Sequence, residues 1–275
     1  MLKTLHGVST WYCNAITEVR LAHETGYDAV EFIFNKLLRY LDHGGTAKQL
    51  KAELDKYGLK AGCINAQKGI DRYYDKALRG IMLKEAERLT QAAADLECPT
   101  VQIMGSNMID HLSPDEIMTV MTESIGEISK IGEKYGIRYQ IEVMAPTQFN
   151  TLNQALQVID SVGSSNIGVV VDFWHLHASG QTTPSDIAKL DKSTIFGVHF
   201  CDGRRPYVGE EWDETVQRAF FPGEGEVDIQ AYTDAVKSTG FDGVWSPELL
   251  SPKYWEQDHF KVAKECFDNM SKYID

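Results

Sequence analysis

Three carboxylates and one imidazole share an unusual setting in this chain: each stands at the end of an apolar run that reads as a β-strand. They are Glu142 in Tyr139-Gln-Ile-Glu142-Val-Met, Asp172 in Val169-Val-Val-Asp172-Phe-Trp-His175, His199 in Gly197-Val-His199-Phe-Cys-Asp202, and Glu248 in Trp245-Ser-Pro-Glu248-Leu-Leu. An ionised group set into an apolar strand is costly unless it is paired or coordinated. A single Glu in that place is ordinarily a structural ion-pair partner. Such groups ending successive strands point instead to one shared cation. Carboxylates that converge repel one another, and a divalent ion is the simplest neutraliser. Three carboxylates and one histidine, with room left for substrate oxygens or water, suit Mn²⁺ or Zn²⁺ foremost, and also Co²⁺ or Mg²⁺.

Other polar groups cluster around the same stretches. His175 and His177 follow Asp172; His175 is expected to bind substrate or orient a ligand, and the other to be a satisfied core histidine. Arg204 and Arg205, just past His199, suit an oxyanion or hydroxyl group, and a solvated loop charge is the competing reading. Glu31 and Trp11, at the expected ends of two early strands, are candidates for the far wall of a pocket, with ordinary wall packing the alternative. Phe221-Pro-Gly-Glu-Gly-Glu-Val-Asp228 reads as a tight turn leading into a helix capped by Asp228.

Groups so distant in sequence meet only if their strands run parallel and share one mouth at their C-terminal ends. β-rich and helix-patterned segments alternate throughout. Strands are expected at Gly7–Tyr12, Ala29–Ile33, Lys60–Asn65, Thr100–Met104, Arg138–Val143, Ile167–Asp172, Phe196–Phe200 and Val244–Leu249. This alternation predicts a (β/α)₈ TIM barrel forming a single domain over residues 1–275. Four helix ends repeat one signal, a glycine followed by an apolar residue: Gly26-Tyr27, Gly58-Leu59, Gly136-Ile137 and Gly240-Phe241. Ser113-Pro-Asp-Glu116 marks a helix start, and Ile117, Met121, Ile125 and Ile128 give that helix an apolar stripe. An open doubly wound sheet would call for a Gly-rich phosphate turn after the first strand, where this chain has Thr10-Trp-Tyr-Cys-Asn-Ala. The longest irregular segment, Gly203 to Gly225, is expected to be functional or mobile. The apolar C-terminal stretch around Tyr254, Trp255, Phe260 and Phe267 is expected to pack on the barrel, a homo-oligomer contact being the alternative.

Composition narrows the partners. The net charge of −13 would repel a phosphate backbone, which excludes nucleic acid. No apolar run reaches membrane-spanning length, and the N-terminal residues lack the pattern of a secretory signal. Five cysteines, scattered and never in C-x-x-C spacing, suit free thiols in a reducing compartment, so a cytoplasmic location is expected.

The motifs together resemble the xylose-isomerase-like sugar phosphate isomerase/epimerase superfamily over the whole chain. The segments that carry the likeness are Ile141-Glu142-Val143, Asn166 to His177, Val198-His199-Phe-Cys-Asp202, Pro222 to Asp228 and Ser246-Pro-Glu248-Leu. Inosose (2-keto-myo-inositol) isomerases are the nearest likeness, with ketose 3-epimerases next. The resemblance implies that Glu142, Asp172, His199 and Glu248 ligate the metal. It further implies that Glu142 and Glu248 are the acid–base pair and that His175 lies near the substrate carbonyl. Arg205 holds the place of the epimerases' substrate-binding arginine. The chemistry to be expected is proton transfer next to the carbonyl of a carbohydrate or cyclitol ketone, through an enediolate. A dehydratase of an inosose or dehydroshikimate-like ring, a C-glycoside-cleaving lyase, and a metal-dependent small-molecule binding module are the alternatives.

Overall fold

The computed structural model describes all 275 residues. Its strands are β1 (Leu2–His6), β2 (Ala29–Ile33), β3 (Lys60–Lys68), β4 (Thr100–Met104), β5 (Arg138–Glu142), β6 (Ile167–Asp172), β7 (Ile195–Phe200) and β8 (Val244–Pro247). They pair in parallel, each with its sequence neighbours, and β8 closes on β1 to complete the barrel. Around them run α1 (Ala15–Thr25), α2 (Phe34–Asp42), α3 (Ala47–Lys56), α4 (Lys76–Asp95), α5 (Pro114–Tyr135) and α6 (Leu152–Val162). The second half adds α7 (Phe173–Ser179), α8 (Pro184–Ile187), α9 (Glu214–Gln217), α10 (Ile229–Ser238), α11 (Pro252–Trp255) and α12 (His259–Ile274). No helix is long and apolar enough to cross a membrane.

Local chemistry explains the boundaries. Gly26, Gly58, Gly136 and Gly240 all have positive φ, where a Cβ would be strained. At the start of α5, Glu116 reaches back to accept from the backbone N–H and hydroxyl of Ser113. Ile117, Met121, Ile125 and Ile128 are buried as one stripe. Asp228 caps α10 by accepting from Ala231 N–H. In the C-terminal helix α12, Phe267 meets Tyr27 edge-on, beside α1.

The first strand lies earlier than the sequence pattern suggests. β1 is Leu2–His6 rather than Gly7–Tyr12, because the Gly7 N–H closes the last ladder bond to Glu31 O and the chain then turns, with Ser9 N–H to His6 O and Cys13 N–H to Thr10 O. His6, not Trp11, therefore ends the strand. Glu248 likewise falls just beyond β8, and β3 runs on to Lys68.

Buried polar residues fasten two of the mouth loops. Lys36, at the start of α2, donates to Gly7 O (2.7 Å), Thr10 O (2.8 Å) and Glu18 Oε1 (2.5 Å), pinning the turn that carries Trp11. Asp202, buried just past β7, gathers four backbone donors across the long irregular segment: Gly203 and Val227 at Oδ1, Gly223 and Gly225 at Oδ2, all within 3.1 Å. A Cβ on Gly225 would lie 2.3 Å from Asp202 Oδ1 and 2.6 Å from the Gly203 backbone, so only glycine lets the two ends of that segment meet.

Burial raises the Glu18 carboxyl to about 7 against the downward pull of Lys36. A folded-state value above the ordinary 4.5 means that the folded chain prefers the neutral acid, and stability from this group falls as pH rises toward 7. Lys36→Met removes the compensating cation, so it should cost about 3–5 kcal/mol when Glu18 is ionised. Urea denaturation is expected to show a larger loss at pH 8 than at pH 5; an equal loss at both would mean that Glu18 is not the group left uncompensated.

Candidate metal centre

Register sets the geometry of the mouth. Asp172 pairs with His199 across β6 and β7, His199 with Ser246 across β7 and β8, and His6 with Glu31 across β1 and β2. Glu142, Asp172, His199 and Glu248 each offer one ligand atom, and these atoms all lie within 4.8 Å of one another. Around His199 Nδ1 stand Glu142 Oε1 at 3.0 Å, Glu248 Oε2 at 3.1 Å and Asp172 Oδ2 at 3.4 Å.

The opposite nitrogen of His199 explains the orientation. Nε2 lies 3.1 Å from Glu31 Oε1, and a carboxylate can only accept, so that nitrogen carries the hydrogen and Nδ1 faces the other three carboxylates. Glu31 also accepts from Asn65 Nδ2 at Oε1 (3.1 Å) and from the Ser246 hydroxyl at Oε2 (2.6 Å). Burial would raise its pKa, but the adjacent imidazoles of His6 and His199 and the hydrogen bonds from His199 and Ser246 hold it at about 2. Glu31 is therefore not a wall of the pocket: it sits behind His199, holding the ring.

Each ligand candidate is itself held from outside the cluster. Glu142 Oε2 accepts from Gln102 Nε2 (2.9 Å), whose Oε1 accepts from Gln140 Nε2 (2.7 Å), a polar chain through the barrel interior. Asp172 Oδ1 accepts the His175 N–H at 2.6 Å, which makes it the N-cap of α7. Arg218 Nη2 donates to Asp172 Oδ2 (2.7 Å) and Glu248 Oε2 (2.5 Å). Burial pushes Glu142 up, with the Glu248 charge adding to it, against the pull of His199. Asp172 and Glu248 stay below the ordinary carboxylate range despite burial, because Arg218 lies against both.

The donor set fits a divalent cation. Glu31, Glu142, Asp172 and Glu248 are all buried, and the Arg218 guanidinium alone does not balance four carboxylates. Burial lowers the pKa of His199, yet the charges of Glu248 and Glu31 and the hydrogen bonds of Asp172 and Glu142 raise it well above its ordinary value. The field that draws a proton to Nδ1 would draw a metal ion to the same spot. Hard carboxylate oxygens with one imidazole nitrogen match Mn²⁺ or Zn²⁺.

Two members of the cluster, Glu142 and Glu248, open together with Arg218 onto a cavity of about 1030 Å³. Val8, Trp11, Met104, Met144 and Leu250 form apolar walls, and Asn35, Asn65, Asn107 and Lys68 bring polar groups. Trp11 stacks on Trp255, with centroids 5.4 Å apart.

Two of the expected substrate contacts fall elsewhere. Arg205 turns away from the cavity, its Nε and Nη2 donating to His177 O at 3.1 and 2.8 Å, because the turn anchored on Asp202 carries it over Gly180. Arg204 is held by both oxygens of Glu210. The arginine at the site is Arg218, which sits in the irregular segment without a motif to mark it. His175 lies beneath it, with Nδ1 accepting the Ala145 N–H at 3.1 Å and Nε2 3.0 Å from Arg218 Nη1. His6, Gln102, Asn65 and Ser246 also escape a search for charged strand ends. The amides of Gln102 and Gln140, each inside an apolar strand, were the legible trace of the polar interior.

A closed parallel barrel with three carboxylates and a histidine gathered at its C-terminal mouth puts the chain in the TIM-barrel class, with a donor set there that could hold a cation. The family model described as "Xylose isomerase-like TIM barrel" matches residues 19–268, and the chain belongs to that family. It is 29% identical over 259 residues to an inosose isomerase of Halalkalibacterium halodurans, covering 92% of this chain and 89% of that protein. A second inosose isomerase, from Bacillus velezensis, is 29% identical over 269 residues, covering 95% and 94%. The crystal structure of IOLI protein with a bound zinc atom superposes with a TM-score of 0.91 at 24% identity, covering 100% of this chain and 98% of that one.

If Glu31 orients His199, Glu31→Gln should weaken binding of Zn²⁺ or Mn²⁺ by about 10–100-fold, the usual cost of losing a partner behind a ligand. Isothermal titration of metal-stripped protein measures this; an unchanged affinity would reduce Glu31 to a packing residue.

Proposed function

We propose that the chain is a divalent-metal-dependent isomerase or epimerase of a ketose or inosose, moving a proton at the carbon next to a carbonyl through an enediolate. The observation that carries this reading is the pair of carboxylates, Glu142 Oε1 and Glu248 Oε2, that meet at one histidine nitrogen and open onto the cavity. Similarity to inosose isomerases over nearly the whole chain supports it. What a divalent ion held by Glu142, Asp172, His199 and Glu248 supplies is polarisation of a carbonyl oxygen and compensation of negative charge.

The residues of the chain do the rest. One glutamate, Glu142 or Glu248, removes the proton, and the same or the other returns it at a different carbon or face. Arg218 keeps Asp172 and Glu248 in place, and its buried Nε, which has no partner in the protein, is a donor for a substrate oxygen. His175 lies beneath Arg218, its Nε2 3.0 Å from Nη1, beside the same site. Trp11, Val8 and Met144 offer apolar surface to the C–H face of a compact ring, and the asparagines of the cavity wall offer hydrogen bonds to its hydroxyls. A small carbohydrate or cyclitol ketone matches this division.

Incubating metal-loaded protein with ketoses and inososes in D₂O, followed by NMR, should show deuterium entering beside the carbonyl as product sugar or cyclitol appears. Glu142→Gln and Glu248→Gln should each slow that exchange by about 10²–10⁴-fold, the range for a general acid–base group, when assayed at metal concentrations that keep each variant's site filled. Exchange accompanied by loss of water would make the protein a dehydratase instead. Absence of exchange on every ketone, with metal occupancy verified, would sink the isomerase reading.

A further inference from the structure

β1 lies between β2 and β8 in the barrel, and its last residue, His6, meets a carboxylate from each side. The imidazole is fully buried. Its Nδ1 accepts the Val8 N–H at 3.1 Å, and since a backbone N–H can only donate, the ring hydrogen sits on Nε2. That nitrogen is 3.5 Å from Glu31 Oε1 and 3.5 Å from Glu248 Oε1. Asn65 Nδ2, 3.1 Å from the same nitrogen, also donates to Glu31 Oε1. The His6 ring stands edge-on to His199, with centroids 5.0 Å apart and planes at 87°.

The two oxygens of Glu248 thus face different neighbours. Oε2 faces His199 Nδ1 at 3.1 Å and Arg218 Nη2 at 2.5 Å, while Oε1 faces His6. Carboxylate oxygens are chemically equivalent, and rotation about the last side-chain bond of Glu is broad and nearly two-fold. Nothing intrinsic to Glu248 selects one of them.

We propose that His6 is a positioning residue for Glu248: its Nε2–H, set between Glu31 and Glu248, fixes the carboxylate so that Oε2 alone turns to the metal-ligand cluster. This rests on the reading of that cluster as a divalent-metal site. Without His6, Glu248 is held through Oε2 alone, by Arg218 and His199, and can pivot about that oxygen to bring Oε1 toward the cluster as well, changing the number of donors and displacing the carboxylate assigned to proton transfer.

His6→Asn and His6→Gln separate the donor from the bulk of the ring. An Asn side chain can still accept the Val8 N–H but carries no group to the position of Nε2, whereas Gln can place an amide N–H there. Both are loaded with Co²⁺, whose visible absorption reports coordination number, and melted to verify folding. The expected result is an altered Co²⁺ spectrum in His6→Asn and a native-like one in His6→Gln. Deuterium exchange in His6→Asn should fall about 10–100-fold in kcat with KM little changed, and recover in the Gln variant. A folded His6→Asn with native spectrum and native exchange overturns the proposal. If wild type binds Co²⁺ but exchanges no ketone, the proposed activity fails and the spectra alone decide the role of His6. If wild type binds no Co²⁺, the metal reading and this proposal fall together.

Discussion

Buried negative charge is the constraint around which the molecule is arranged. Four carboxylates from four different strands are buried together around His199, and most of the polar contacts nearby serve to keep them there. Glu31 faces away from the other three and takes the Nε2–H of His199, which leaves Nδ1 aimed at the cluster. Glu142 is tied to the glutamine chain of the barrel interior, Asp172 to the start of α7, and Glu248 to Arg218. For Glu142 and Asp172 the oxygen that does not face the shared point is occupied by a donor, which leaves the other one to face it.

The same logic explains why the fold is needed. No short segment could present these groups: the span from Glu31 to Glu248 is most of the chain. Parallel pairing in sequence order brings His6 beside Glu31 and Asp172 beside His199 at one level of the barrel. The apolar shell of strands and helices lowers the local dielectric, which strengthens both the repulsion among the carboxylates and the affinity for a cation that relieves it.

Alternation of strand and helix patterns, with glycine after each of several helices, was enough to read the barrel from the sequence, and apolar runs ending in charge marked Glu142, Asp172, His199 and Glu248. The first strand was misplaced because Gly7 to Tyr12 looks as β-prone as Leu2 to His6, and only the ladder bond from Gly7 to Glu31 O shows where pairing ends. Arg205 was singled out, and Arg218 passed over, because of the two only Arg205 lies close to His199 in sequence, and such nearness is a poor guide once the chain leaves a strand. What decides is the clasp at Asp202, a tertiary contact with no local pattern. Glu31 was visible as a charged strand residue, but its service to His199 rather than to substrate follows from register alone.

That clasp also shapes how the protein can diverge. By binding Gly203 at one end and Gly223, Gly225 and Val227 at the other, Asp202 makes the stretch between them a closed loop whose footing does not depend on its contents. Insertions and exchanges along the outer part of this loop, where Tyr207 and Val208 are exposed, can alter the rim of the cavity without moving His199. Arg218 is the limit to that freedom, since it belongs to the loop and to the cavity at once. Selection for a new small-molecule partner can therefore act on a replaceable cassette, while the buried cluster behind it is inherited unchanged.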